Sequence, residues 1–268
     1  MLRTCLALAT LSGGLAWGAA PTYSAAGLVN GANFTASAAA PNSLVTLFGT
    51  DLAWTTEILT TAHIANGSLP FNLAEVRVSV GNYWAPLFYV SPTQINFLVP
   101  ANLRTGAVTL RVVRQGVVGP ELSMTLVDAA PQFFSSVDGY VIAQHSDYSL
   151  ITPDSPARPG EVIVIYAIGL GRTAPQPAAG EIPWYPGWMT QLESLRVSID
   201  GVVLGPEHIW YAGLSPGWAG LYQINLILPD PLPPNPELRA AVGDQPSAAG
   251  LKLATALNQP QPFGPGKR

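Results

Sequence analysis

A chain of 268 residues is long enough for one large domain or two of ordinary size, and its make-up, 48% apolar and only 10% charged, excludes a disordered chain. The formal net charge is −4, and the ten arginines and two lysines are scattered without forming a basic stripe, which leaves nucleic-acid binding no electrostatic basis. Glycine and proline, at 26 residues each, are dispersed among short apolar runs and predict many turns joining short strands.

The N-terminus has the pattern of a secretory signal over residues 1–18. Arg3 supplies a positive start, Leu6–Leu11 a short apolar core, and Ala16-Trp17-Gly18 a small-x-small cleavage site. Cleavage there would remove Cys5, the only cysteine, so disulfides could not staple the mature protein and its cores must suffice. The longest later apolar run, Val162–Leu170, is strand-sized, so no membrane span is expected in the mature chain. The expected location is secreted or cell-surface.

Pro21–Phe34 follows, and then Pro41-Asn-Ser-Leu-Val-Thr-Leu-Phe-Gly49 reads as a strand bounded by Pro and Gly. Trp54–Phe71 has no clean period and reads as a long loop. Val76-Arg-Val-Ser-Val80 alternates, which predicts a half-buried strand with its valines inward. Ala85–Pro100 reads as strand, Ser-Pro turn, strand. Ala107–Arg114 and Leu122–Val127 complete a first set. Asp128–Phe134 is the junction. The pattern then returns: Pro159–Gly171 repeats Pro41–Leu52, Leu195–Gly201 repeats Val76–Gly81, and Ile209–Pro229 repeats Ala85–Pro100. Pro41 to Pro159 is 118 positions, Val78 to Val197 is 119, and Gln94 to Gln223 is 129, the longer offset arising from extra residues at Gly217–Leu221. Motifs kept in order at a period near 120 indicate a duplicated domain, since solenoid repeats are shorter. Short strands and frequent turns predict an all-β fold: two tandem immunoglobulin-like β-sandwich domains, at 19–128 and 129–258, with a tail at 259–268.

Four blocks, Gly27–Phe34, Pro41–Leu52, Pro86–Pro100 and Pro159–Gly171, resemble the Solibacter uncharacterised C-terminal domain family of secreted acidobacterial proteins, most specifically through Ser91-Pro-Thr-Gln-Ile-Asn96. The resemblance implies immunoglobulin-like units of the IPT/TIG type. It implies no catalytic residues, and the Trp184-Tyr-Pro-Gly-Trp188 insert departs from the family pattern.

Gly213-Leu-Ser-Pro-Gly217 fits the G-x-S-x-G hydrolase elbow, but the residue after its serine is Pro216, which has no N–H for an oxyanion. His63, His145 and His208 lack metal-ligand spacing, Asp138, Asp147 and Asp154 lack a calcium-loop spacing, and Glu161 and Glu181 suggest no acid/base pair. No catalytic residue, metal site or cofactor is therefore expected. Gln94 with Asn96, and Gln223 with Asn225, sit two apart and so share a strand face, where they are expected to satisfy backbone groups at the neighbouring turn or edge; a polar ligand ladder is the other reading. Trp184, Tyr185, Trp188 and Trp218 lie in turn-rich segments of the second repeat that the first lacks. They are the candidate ligand-binding residues, set against a role in covering the sandwich end or the seam. The function this supports is a non-catalytic extracellular binding or adhesion protein with an unknown protein or glycan partner. A carbohydrate-binding accessory module is the alternative, and a hydrolase the least supported.

Overall fold

The computed structural model describes residues 18–256. Apart from Gly18, the signal expected at 1–18, with Cys5, lies outside the described residues, as do the last two residues of the second expected domain and the tail at 259–268.

The first half holds β1 (Thr22–Asn30), β2 (Leu44–Thr50), β3 (Glu57–Ile58), β4 (Val76–Val80), β5 (Tyr83–Ala85), β6 (Leu87–Val90), β7 (Gln94–Leu98), β8 (Gly106–Arg114), β9 (Val117–Val118) and β10 (Leu122–Leu126). They form one sheet ordered β1-β2-β7-β6-β3 and another ordered β10-β8-β4-β5, with β9 beside β8. The second half holds β11 (Gln132–Phe133), β12 (Ala143–Gln144), β13 (Val162–Ile168), β14 (Thr173–Ala174), β15 (Trp188–Met189), β16 (Leu195–Ile199), β17 (Val202–Val203), β18 (Ile209–Leu214), β19 (Tyr222–Ile227), β20 (Leu238–Val242) and β21 (Gln245–Pro246). Its sheets run β11-β13-β19-β18-β15-β14, with β12 beside β13, and β17-β16-β20-β21. The protein is all-β, as the sequence predicts, and each half lays two antiparallel sheets over one core in the manner of a β-sandwich.

Alternation builds both cores. Val76, Val78 and Val80 are wholly buried while Arg77 and Ser79 turn outward, and Leu195, Val197 and Ile199 repeat the pattern. One apolar cluster draws only on residues 39–126, among them Leu47, Ile95 and Phe97, and the other only on residues 129–254, among them Ile163, Ile165 and Ile224. Each such side chain contributes about 1.5–3 kcal/mol on burial, which is how a protein holding no disulfide among its described residues is stabilised.

The duplication extends to strand register. Phe48 faces Gln94 and Thr46 faces Asn96 across β2–β7; Tyr166 faces Gln223 and Val164 faces Asn225 across β13–β19. A register shift falls at the same place in each β-hairpin, at Phe88 between Leu87 and Tyr89 and at Trp210 between Ile209 and Tyr211. The expected loop at Trp54–Phe71 carries regular structure: Glu57 and Ile58 pair with Val90 and Tyr89 and extend the first sheet, and Thr61–His63 form a 3-10 turn.

The halves meet along a hydrogen-bonded seam. Arg172 donates to the carbonyls of Ala101 (2.9 Å) and Leu103 (2.5 Å), Asn33 Nδ2 to Gln132 Oε1 (3.0 Å), and Asn42 Nδ2 to the Tyr222 hydroxyl (3.3 Å). The added residues of the second Ser-Pro turn sit here too. Gly220 has φ +72°, and a Cβ on it would lie 2.2 Å from Leu98 Cδ1, so any other residue would take up a strained backbone and displace Leu98 where the turn lies on the first half.

Candidate functional site

The four sequence-identified aromatics divide. Trp184 (78% exposed), Trp188 (45%) and Trp218 (65%) present their rings to solvent, whereas Tyr185 is half-buried with its hydroxyl donating to Glu181 Oε1 at 3.1 Å. Burial, followed by that carboxylate, pushes the Tyr185 hydroxyl up and keeps it protonated. Trp184 and Trp218 belong to one corner: the Gly217 amide donates to the Pro183 carbonyl at 2.6 Å, and the Trp184 ring lies 3.3 Å from where a Gly217 Cβ would project. Trp188, opposite Gly213, packs edge-on to Tyr211 with ring centroids 4.7 Å apart. Trp218 combines both roles considered for these residues, since its turn reaches the seam while its ring stays open.

An overlapping set forms a concave surface of the second half. β13, β19 and the turn before β19 enclose a groove of about 510 Å3, lined by Tyr166, Trp210, Ser215, Trp218, Gln223 and Asn225, with Tyr148 at its rim. The register explains the grouping, because side chains opposed across antiparallel strands emerge on the same face. The shift at Trp210 leaves that residue out of the ladder, and its side chain is 61% exposed. Tyr148, at φ +69°, is 76% exposed. Burial, and then the neighbouring Tyr148, raise the Tyr166 hydroxyl, which donates to Gln144 Oε1 at 2.6 Å.

The paired amides behave differently from the sequence expectation. Gln94 Nε2 donates to Asn96 Oδ1 at 2.9 Å, and Gln223 Nε2 to Asn225 Oδ1 at 3.1 Å, so each pair bonds itself. The backbone of the first turn is met instead by Ser91, whose Oγ accepts from the Gln94 amide at 2.9 Å. In the second half Ser215 Oγ donates to Gln223 Oε1 at 3.0 Å. This relay orients both amides, and Asn225 Nδ2, on a residue that lines the groove, makes no hydrogen bond among the described residues. In the first half Thr46 Oγ1 also donates to Asn96 Oδ1 at 2.9 Å; its counterpart in the second half is Val164, which has no hydroxyl.

The Ser215 geometry disposes of the hydrolase elbow. Its hydroxyl is bound to an amide in place of an imidazole, its own N–H is committed to the Leu221 carbonyl at 2.9 Å, and Pro216 follows. A second arrangement went unseen in the sequence. His145 Nδ1 meets Glu161 Oε1 at 2.5 Å, and His145 Nε2 lies 3.1 Å from the Ser155 carbonyl and 3.3 Å from Ser155 Oγ. It has the composition of a Ser-His-Glu triad. Burial lowers the His145 pKa, but the hydrogen bond to Glu161, the Ser155 carbonyl and the charges of Glu161 and Asp147 together raise it. The Ser155 carbonyl, 3.1 Å from His145 Nε2, competes with Ser155 Oγ for the same ring nitrogen. The Ser155 N–H already bonds Thr152, and Pro156 offers no oxyanion donor. The pair is a clamp on the 145–161 loop that carries Tyr148. Among the described residues no group of three or more His, Cys, Asp or Glu side chains is placed to hold a metal ion, and no helix is long and apolar enough to cross a membrane.

Tyr166 and Trp210 were legible as repeat counterparts of Phe48 and Phe88. Their association with Trp218 and Tyr148 was not, because it depends on a bulge and a loop with no local sequence code.

The chain is distantly similar to several solved structures. The Bacteroides ovatus mixed-linkage glucan utilization locus protein SGBP-B, solved with a mixed-linkage heptasaccharide, is 11% identical with a TM-score of 0.32 over 79% of this chain and 38% of that one. A structure solved with a xylogluco-oligosaccharide is 12% identical at TM-score 0.26, over 87% of this chain and 41% of that one. Domains 5–6 of the S-layer protein SbsC are 9% identical at TM-score 0.27, over 88% of this chain and 100% of that one. The chain thus spans about two fifths of the first two proteins. Likenesses of this size assign neither a family nor a ligand. No protein-family model and no curated protein matches the chain.

Proposed function

We propose that this protein is an extracytoplasmic, non-catalytic binding protein: two tandem immunoglobulin-like sandwiches, of which the second displays the binding surface. The observation that carries this is the concentration of solvent-facing Trp184, Trp188, Trp210 and Trp218 in the second half, on a frame rigidified by two cores and the seam. Exposed tryptophans on a rigid support supply contact area at little entropic cost. The resemblance of Ser91-Pro-Thr-Gln-Ile-Asn96 and its companion blocks to a family of secreted proteins supports this reading. An accessory carbohydrate-binding role is the second reading, favoured by the exposure of three of the four aromatics singled out from sequence.

The test pairs binding with turnover. Purified protein is screened on immobilised glycans, on extracellular proteins and on intact bacterial cells, and in parallel against ester, glycoside and peptide substrates. Saturable binding that is lost when the second-half tryptophans are replaced by alanine, without turnover, is expected. Turnover abolished by one substitution would overturn the reading.

A further inference from the structure

We propose that the groove over β13 and β19 binds an uncharged polysaccharide chain, with sugar rings stacking on Trp210 and Trp218 and hydroxyls taken by Asn225. This rests on the binding reading above and adds the site and the ligand class.

The chemistry of the lining decides the class. None of the eleven lining residues is Asp, Glu, Lys, Arg or His. The nearby charges are committed elsewhere: His145 to Glu161, and Asp147 to the amide and hydroxyl of Ser149 at 2.9 and 2.6 Å. An anionic chain would find no cation among the residues that line this surface. An apolar peptide would cover the indoles but strand the Asn225 amide away from water, a cost that a hydroxyl-bearing ligand does not incur. A peptide added as a strand needs a free sheet edge, whereas β19 is paired on both sides, to β13 and β18.

A neutral sugar chain meets both demands at once. The C–H face of a pyranose is apolar and suits an indole; its rim carries hydroxyls that accept from and donate to amides. The relay from Ser215 through Gln223 to Asn225 fixes which end of Asn225 faces outward, so the donor is oriented before the ligand arrives. The dimensions agree. A groove of about 510 Å3 lies within the roughly 300–1,000 Å3 usual for ligand clefts. The strands β13, β19 and β18 span about 10 Å at roughly 4.8 Å per step, the reach of a short run of sugar units.

The matching surface of the first half is lined differently. At the register of Tyr166 it has Phe48, which has no hydroxyl, and at the register of Val164 it has Thr46, whose hydroxyl adds a second donor to Asn96 Oδ1. Leu44 and Phe88 line instead a trough shared with Trp218 and Leu221 of the second half. Duplication therefore supplied two similar faces, and the lengthened turn closes the end of one while extending the other.

The experiment is affinity electrophoresis of the full chain through gels containing neutral polymers (hydroxyethylcellulose, xylan, galactomannan) or anionic ones (polygalacturonate, alginate). The wild type is compared with Trp210→Ala, Asn225→Ala and the first-half control Trp84→Ala. Melting temperatures confirm folding, which truncation of the exposed Trp210 should not disturb. We expect retardation by a neutral polymer, weakened at least about tenfold by Trp210→Ala and unaffected by Trp84→Ala. Asn225→Ala should weaken it less. Retardation by anionic polymers alone would overturn the ligand class. Neutral-polymer binding that survives both Trp210→Ala and Asn225→Ala would overturn the site while leaving the binding function standing. Retardation in no gel would overturn the inference altogether, and the protein and cell-surface arms of the preceding screen then judge the binding reading separately.

Discussion

Replacing Tyr222 by phenylalanine removes one oxygen atom from the point where the two halves meet. That hydroxyl is fully buried, donates to the Gly171 carbonyl at 2.5 Å and accepts from Asn42 Nδ2 at 3.3 Å. Phenylalanine fills the same space but leaves the carbonyl and the amide without their partner, at a cost of about 1–3 kcal/mol near neutral pH. The loss should depend on pH in a defined way. Burial pushes the Tyr222 hydroxyl up to about 12 from the usual 10.0, opposed by the Asn42 hydrogen bond and the Arg172 charge. The folded pKa is the higher one, so the stabilisation is complete below pH 10 and is lost as pH rises from about 10 to about 12, where the unfolded chain ionises first. Two pKa units correspond to roughly 3 kcal/mol, enough to cancel the advantage of tyrosine at the alkaline end. Urea unfolding of wild type and Tyr222→Phe, followed at intervals from pH 7 to 11.5, measures this. The gap between the two proteins should be constant to about pH 10 and then close. A gap absent at pH 7, or one that does not narrow above pH 10, would refute the reasoning.

Two further outcomes follow from the same geometry. His145 has a raised folded pKa, so its contribution is complete below the unfolded value of 6.5 and is lost as pH rises through the folded one; the melting-temperature deficit of His145→Gln should be larger at pH 6 than at pH 9, and an equal or reversed deficit would remove the clamp on the 145–161 loop. Gly220→Ala places a Cβ against Leu98 at a positive φ, and should cost about 1–3 kcal/mol in urea unfolding, whereas Gly139→Ala, with positive φ but nothing within 4 Å, isolates the backbone part and should cost less.

The sequence disclosed the architecture because the information is local and repeated. Alternation at Val76–Val80 and its copy at Leu195–Ile199 specify strand, face and duplication together, and the burial follows them position by position. The site was less legible. Trp184, Trp188 and Trp218 stood out as residues of one repeat that the other lacks; Trp184 and Trp218 are exposed in irregular segments, and Trp188 is exposed on the short strand β15. Trp210 and Tyr166 look like core positions in the sequence, being set in strands beside apolar neighbours. Only the register shift at Trp210 and the open outer face of β13 bring them to solvent, and both depend on which strands pair and what covers them. The His145–Glu161 pair was invisible for a similar reason: sixteen positions separate residues that a loop folds into contact.

The central claim is that the second half alone carries the binding face, and the duplicated amides supply an internal control. Side-chain amide and indole resonances of the labelled protein, followed by NMR during titration with a neutral oligosaccharide cut from the best-retained polymer, test it directly. The account predicts that Gln223, Asn225, Trp210 and Trp218 shift while Gln94 and Asn96 stay fixed. Shifts at Gln94 and Asn96, with those at Gln223 and Asn225 unmoved, would contradict it.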